Sequence, residues 1–165
     1  MIRAPLAMAI ALMVHACAGV PEAAAQPEAR AYSAEADANA EVDTALARAA
    51  ASGKRVTLVM GANWCHDSRA LAGWLETPRF KALAAAHYEV IYIDVGVPQT
   101  GQGRNLAIAR RFGLDEISGT PALLVLAPNG TLLNRDTAAS WRNAASRSED
   151  AIYAELAALA ENPAS

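Results

Sequence analysis

Val56–Ser68 reads VTLVMGANWCHDS. An apolar run from Val56 to Met60 stops at Gly61, Ala62 and Asn63 turn, and Trp64, Cys65, His66, Asp67 and Ser68 follow. Arg69–Leu75 then carries a helical pattern, with Leu71, Trp74 and Leu75 on one side. The order is strand, tight turn, and a thiol at a helix start. Unpaired backbone N–H groups and the helix dipole favour a thiolate in such a position. A cysteine that only fills a core needs neither.

The periodicity extends outward from this stretch in both directions. Glu35–Ala51 predicts a helix, with Val42, Leu46 and Ala49 or Ala50 on one stripe and Ser52-Gly53 as its stop. Thr77-Pro78 interrupts the helix after Cys65, because proline lacks the amide and clashes with the preceding turn; a kink or a fresh start is expected there. Arg79–Ala86 continues helically, and His87 falls at its end. Tyr88–Val95 predicts a strand with Val90 and Tyr92 on one face and Ile91 and Ile93 on the other, the pattern of a strand covered on both sides. Gly96–Gly103 is a glycine-rich loop, Asn105–Phe112 a helix closed at Gly113, and Ala122–Ala127 a strand. Pro128-Asn129-Gly130 predicts a hairpin turn returning through Thr131–Asn134. Two helical patterns, Thr137–Arg147 and Glu149–Glu161, complete the chain; the second carries Ile152, Leu156 and Leu159 on one stripe.

Trp64-Cys65-His66-Asp67-Ser68 after a strand, with Gly119-Thr120-Pro121 ahead of the ALLVLA strand, resembles the signature of the thioredoxin-like superfamily. The resemblance implies an α/β fold, a central mixed sheet flanked by helices, over residues 39–161. It implies a cis bond at Thr120-Pro121, and a substrate-binding surface made of Trp64, Thr120 and Pro121. One departure dominates. The superfamily's second cysteine falls on Ser68, so the motif is CxxS. Many thioredoxins also carry a buried aspartate where this chain has Val59, an acid that assists the second thiol.

The candidate catalytic residues are Cys65, Ser68 and His66. Cys65 is expected as an exposed nucleophile. Ser68, one helical turn on, is placed to donate a hydrogen bond to its thiolate, but serine cannot attack a mixed disulfide as a second thiol does. His66 favours the thiolate when protonated and donates a hydrogen bond when neutral. Asp67 opposes it by charge and can cap the helix. Arg69 is either a solvated side chain or a contact for an anionic partner. Three consecutive residues do not converge on one ion, and structural zinc takes four spaced ligands; no metal and no cofactor are expected.

The 165 residues contain 14 basic and 17 acidic side chains, a net charge of -3 that gives nucleic acid no purchase. Arg3, the apolar run Leu6–Val14 and Ala23-Ala24-Ala25 read as a secretory signal over residues 1–25, the apolar run being too short to span a bilayer. Val14-His15-Ala16-Cys17 offers a competing reading, a lipoprotein signal ending before Cys17. Residues 26–38, rich in Pro, Ala and Glu, read as a linker or arm. Cys17 and Cys65 are the only cysteines, so either processing route leaves Cys65 as the sole free thiol. The expectation is a protein of the bacterial periplasm or the exterior, anchored if Cys17 is lipidated. It would form mixed disulfides through Cys65 with a disulfide- or thiol-containing protein or a small thiol such as glutathione. Dithiol oxidoreductase chemistry by one chain is not expected. A redox-inactive thioredoxin-fold module that binds peptide or protein is the alternative.

Overall fold

The computed structural model describes residues 26–161; the leader read at 1–25, with Cys17, lies outside them. Residues 26–37 form an arm without regular secondary structure. Helix α1 (Ala38–Ser52) begins where the Asp37 carboxylate accepts the Ala40 amide at 3.1 Å and ends at Gly53, whose φ of 75° suits a residue without Cβ. Strand β1 (Arg55–Gly61) leads into α2 (His66–Leu75). Helix α3 (Pro78–His87) starts afresh, with Pro78 in the first turn where a missing amide costs nothing. Then come β2 (Tyr88–Asp94), the short strands β3 (Gly96–Val97) and β4 (Gln102–Gly103), α4 (Leu106–Arg111), β5 (Ala122–Leu126) and α5 (Glu149–Glu161).

The main sheet has the order β2-β1-β5; β1 runs parallel to β2 and antiparallel to β5, so the sheet is mixed. The alternation of β1 divides the core. Val56, Leu58 and Met60 face α1 and α4, joined by Ile93, Leu124 and Leu126. Val59 faces the other way, into a cluster built from Leu71 and Leu75 of α2, Phe80 of α3, Ile152 and Leu156 of α5, Tyr32, Tyr88 and Trp141. Tyr92 and Val90 pack on this second side and Ile91 on the first, as the alternation in β2 requires. This is the α/β thioredoxin-like fold, a central mixed sheet with helices on both faces.

Three sequence expectations change in detail: the expected loop Gly96–Gly103 is a short hairpin in which β3 and β4 pair, and two further segments differ. The return of the hairpin after Asn129-Gly130 is no strand: it makes a single bridge, Leu126 with Leu132. Two backbone hydrogen bonds accompany it, Ala127 N–H to the Thr131 carbonyl and Leu133 N–H to the Val125 carbonyl, both at 2.8 Å, and the Asn134 side chain adds two more. Its Oδ1 accepts the Val125 amide at 2.8 Å and its Nδ2 donates to the Leu123 carbonyl at 2.8 Å, so an amide side chain stands in for a neighbouring peptide group. Thr137–Arg147 contains a 3₁₀ segment, Ser140–Ser146, rather than a full α-helix.

Sheet register positions the site. Gly61, at the end of β1, is level with Asp94 at the end of β2. Because β5 is antiparallel, Met60 is opposite Ala122, the first residue of β5. Three chain segments therefore meet at one edge: the turn into α2, the exit from β2, and Thr120-Pro121.

Candidate active site

Cys65 occupies the N-cap position of α2 in extended conformation; its carbonyl accepts the Arg69 amide at 3.1 Å and its side chain makes no cap hydrogen bond. The thiol is thus free of helix duty, and Sγ donates to the Thr120 carbonyl at 3.3 Å. The Thr120-Pro121 peptide bond is cis. Cys65 is only 8 % exposed, so the expected exposed nucleophile is in fact recessed. The reason is the register above, which sets the Thr120 backbone against the thiol.

Ser68 differs from expectation in the same way. It is fully buried, and its Oγ has no hydrogen-bond partner among the described residues. The expected Ser68–Cys65 hydrogen bond is absent because the hydroxyl is turned elsewhere. A Cβ on Gly61 would lie 2.7 Å from Ser68 Oγ and 2.7 Å from Cζ of Tyr32, so the hydroxyl is wedged between the end of β1 and that ring. The Tyr32 phenol in turn donates to the Ser68 carbonyl at 3.1 Å.

Trp64 is 51 % exposed, the one large apolar side chain so presented among the described residues. Its Nε1 donates to the Gly96 carbonyl at 2.9 Å, which ties the ring to the β3–β4 hairpin. That hairpin is held by Asp94, whose carboxylate accepts the Gly96 amide at 2.9 Å and pairs with Arg104 at 3.3 Å. Asp67 does not cap α2. Its Oδ1 accepts the Ala145 amide at 2.9 Å, joining the start of α2 to the 3₁₀ segment.

The arm contributes residues that the sequence reading passed over. Asn63 and Tyr32 exchange two hydrogen bonds, Tyr32 N–H to Asn63 Oδ1 at 3.3 Å and Asn63 Nδ2 to the Tyr32 carbonyl at 2.7 Å. Ala29 N–H donates to the Arg69 carbonyl at 3.0 Å. Gly73 admits the arm: a Cβ there would sit 2.2 Å from the Pro27 carbonyl oxygen. Along this path Glu28 reaches both His66, at 3.0 Å, and Arg69, at 2.9 Å. The Arg69 hydrogen bond, above all, holds the Glu28 carboxyl below its ordinary range, with the charges of Arg69 and His66 adding to it and partial desolvation opposing. Arg69 also donates to the carbonyls of Asn63, at 3.1 Å, and Trp64, at 3.2 Å, so it braces the turn as well. Burial pushes the Tyr32 phenol far above its usual range, with the neighbouring Tyr92 and Cys65 adding to it.

The structure therefore brings together Trp64, Cys65, His66, Ser68, Thr120 and Pro121, and adds Glu28, Tyr32 and Arg69. The sequence signal for the arm was Tyr32 alone, an aromatic residue in an otherwise polar and alanine-rich stretch. Among the described residues no cluster of His, Cys, Asp and Glu could hold a metal ion.

A family model described as thioredoxin-like matches residues 37–128. Among solved structures, the chain is similar to the crystal structure of a disulphide isomerase from Xylella fastidiosa Temecula1. The two share 36 % identity over 79 % of this chain and 96 % of that one, with a TM-score of 0.71. No curated protein matches the chain.

Proposed function

The chain belongs to the thioredoxin-like family, and from that premise we propose that it is a monothiol member, with Cys65 as nucleophile and a CxxS site. The observation that carries the reading is the Cys65 thiol at a helix start, 3.3 Å from the Thr120 carbonyl, with a serine one turn on. The Cys65 thiol gives its proton to solvent, and the thiolate attacks one sulfur of a partner disulfide. Its electron pair forms the new S–S bond, and the pair of the broken bond leaves on the partner's other sulfur as a thiolate. Ser68 has no sulfur with which to release the adduct, so an external thiol attacks Cys65–S–S–R, takes R into a new disulfide and restores Cys65. The sequence of steps serves isomerisation, deglutathionylation or retention of a partner. The similar solved structure is described as a disulphide isomerase, which supports a thiol- or disulfide-bearing protein, or a small thiol such as glutathione, as partner.

The roles follow from position. Trp64 presents its exposed ring to the partner, while Thr120 and Pro121 are buried behind the thiol, and a partner peptide would pair with the Thr120 backbone after displacing the Cys65 contact to its carbonyl. His66, at the mouth of the site, donates toward the incoming group. Val59, in the core beneath, matches a site that has no second thiol to deprotonate. Export through residues 1–25 to the periplasm or exterior, with lipidation at Cys17 as the anchored variant, belongs to the same proposal. So does the division into a linker at 26–38 and a domain at 39–161.

The test is mixed-disulfide formation by the reduced protein, followed by intact mass, beside a Ser68→Cys variant. The expected result is a stable adduct on Cys65 in the parent and, only in the variant, release of product with an internal disulfide. Folded protein no more reactive than an unfolded control would end the proposal. The recessed thiol favours one second reading, a peptide-binding module that makes no covalent step. Partner capture unchanged by Cys65→Ala would establish that reading; capture lost with the fold intact would dismiss it.

A further inference from the structure

His66 and Arg69, which follow Cys65 in the first turn of α2, hold the same carboxylate. Glu28 Oε1 lies 3.0 Å from His66 Nε2, and Glu28 Oε2 lies 2.9 Å from Arg69 Nε. His66 and Arg69 belong to the first turn of α2, directly after Cys65, where the helix dipole also favours negative charge. The guanidinium is fixed before any ligand arrives, since its Nη1 donates to the Asn63 and Trp64 carbonyls. A planar donor held in one orientation suits a carboxylate better than a mobile ammonium would. Asp67, the negative charge nearest in sequence, is turned away to the Ala145 amide.

We propose that His66 and Arg69 form a seat for a carboxylate carried by the disulfide partner, and that Glu28 fills this seat in the free protein. The proposal rests on the thiol-exchange reading above and names the partner class: a disulfide with a carboxylate close to its sulfur, as in oxidised glutathione. Glu28 is an internal competitor. Its side chain is 40 % exposed, while the arm backbone beside it is pinned by Ala29 to Arg69 and by Tyr32 to Asn63. Rotation of one side chain therefore opens the seat, and the arm stays in place. The covalent step is unchanged; the seat decides which disulfides arrive with their sulfur near Cys65.

The experiment compares rates of Cys65 adduct formation with oxidised glutathione, which carries carboxylates, and with 2-hydroxyethyl disulfide, which is neutral. Glu28→Ala is expected to raise the ratio of the two rates about threefold, the scale of one exposed ion pair. His66→Gln added to Glu28→Ala is expected to reverse part of that gain. Glu35→Ala, the same charge change at an exposed position of the same arm, is expected to leave the ratio alone. An unchanged ratio in Glu28→Ala, with the neutral disulfide still reacting, overturns the seat and spares the thiol-exchange reading. So does an equal shift in Glu35→Ala, which would mark a general effect of charge. If the neutral disulfide fails to react with Cys65 at all, the thiol-exchange reading falls and the seat falls with it.

Discussion

The two faces of the central sheet are built differently. The face toward α1 and α4 is aliphatic, filled by Val42, Ala45, Leu58, Met60, Ile93, Ile108, Leu124 and their neighbours. The face toward α2, α3 and α5 is aromatic, with Tyr32, Phe80, Tyr88 and Trp141 buried in it and Trp74 and Tyr92 at its margin. Among the described residues four buried polar atoms have no hydrogen-bond partner: Thr57 Oγ1, Ser68 Oγ, Trp74 Nε1 and Trp141 Nε1. All four belong to the second face, Thr57 by strand alternation with Val59 and the others by their places on α2 and the 3₁₀ segment. A buried polar group without a partner costs about 1–3 kcal/mol. One face is arranged for packing alone; the other, which carries the thiol, tolerates unpaired groups.

The sharpest way to break this contrast is truncation on each side. Trp141→Ala should cost about 3–5 kcal/mol and Leu58→Ala about 2–5 kcal/mol in denaturant unfolding, so stability alone separates them little. Reactivity should separate them. Trp141 lies in the 3₁₀ segment that Asp67 ties to the start of α2, so its loss should alter the labelling rate of Cys65 in the folded protein, whereas Leu58→Ala should not. Equal effects on labelling would erase the functional distinction between the faces.

A hydroxyl exchanged across β1 gives the next largest effect. Val56→Thr places an unpaired hydroxyl in the aliphatic face and should destabilise by about 1–3 kcal/mol. Thr57→Val removes one from the aromatic face and should stabilise by about 1 kcal/mol. Shifts of the same sign in unfolding midpoints would mean that the hydroxyl of Thr57 does something its surroundings do not show.

High pH should weaken the aromatic face selectively. Burial raises Tyr32, Tyr88 and Tyr92, Tyr88 to about 12 from an ordinary 10.0. Below 10.0 both folded and unfolded chains keep these phenols neutral, and the full stability is present. Above it the unfolded chain ionises first, so stability falls as pH rises through the folded value of about 12. Tyr88→Phe should shallow that fall in denaturant midpoints, and an unaltered slope would contradict the burial argument.

The smallest effect is expected at the arm. The Glu28 carboxyl is lowered by Arg69, so its contribution is complete above the ordinary value of 4.5 and disappears as pH falls through the lowered folded value. A carbon-detected titration of Glu28 should show a midpoint below 4.5 that returns toward it in Arg69→Gln. A midpoint that does not move would separate Glu28 from Arg69.

The local signals read most of the fold. Gly53, Pro78 and Gly130 punctuate the chain where helix end, helix start and turn occur, and the alternation in β2 assigns Val90 and Tyr92 to one face and Ile91 and Ile93 to the other, as found. The return after Gly130 makes one bridge and two backbone hydrogen bonds and then gives way to the Asn134 side chain, which no periodicity records. Ser68 failed because a helical offset gives spacing but no rotamer; the hydroxyl follows Gly61 and Tyr32 instead of the thiol.

By itself the sequence determined that a thiol begins α2 and that a proline precedes the strand beside it, since glycine stops, apolar runs and proline chemistry act within a few residues. Only the tertiary structure decided that this thiol is recessed against Thr120, 55 residues away, and that Glu28 reaches Arg69 from 41 residues away. Antiparallel register sets the first distance. Burial of Tyr32 and the missing Cβ of Gly73 set the second, and both are properties of packed surfaces rather than of neighbours in the chain.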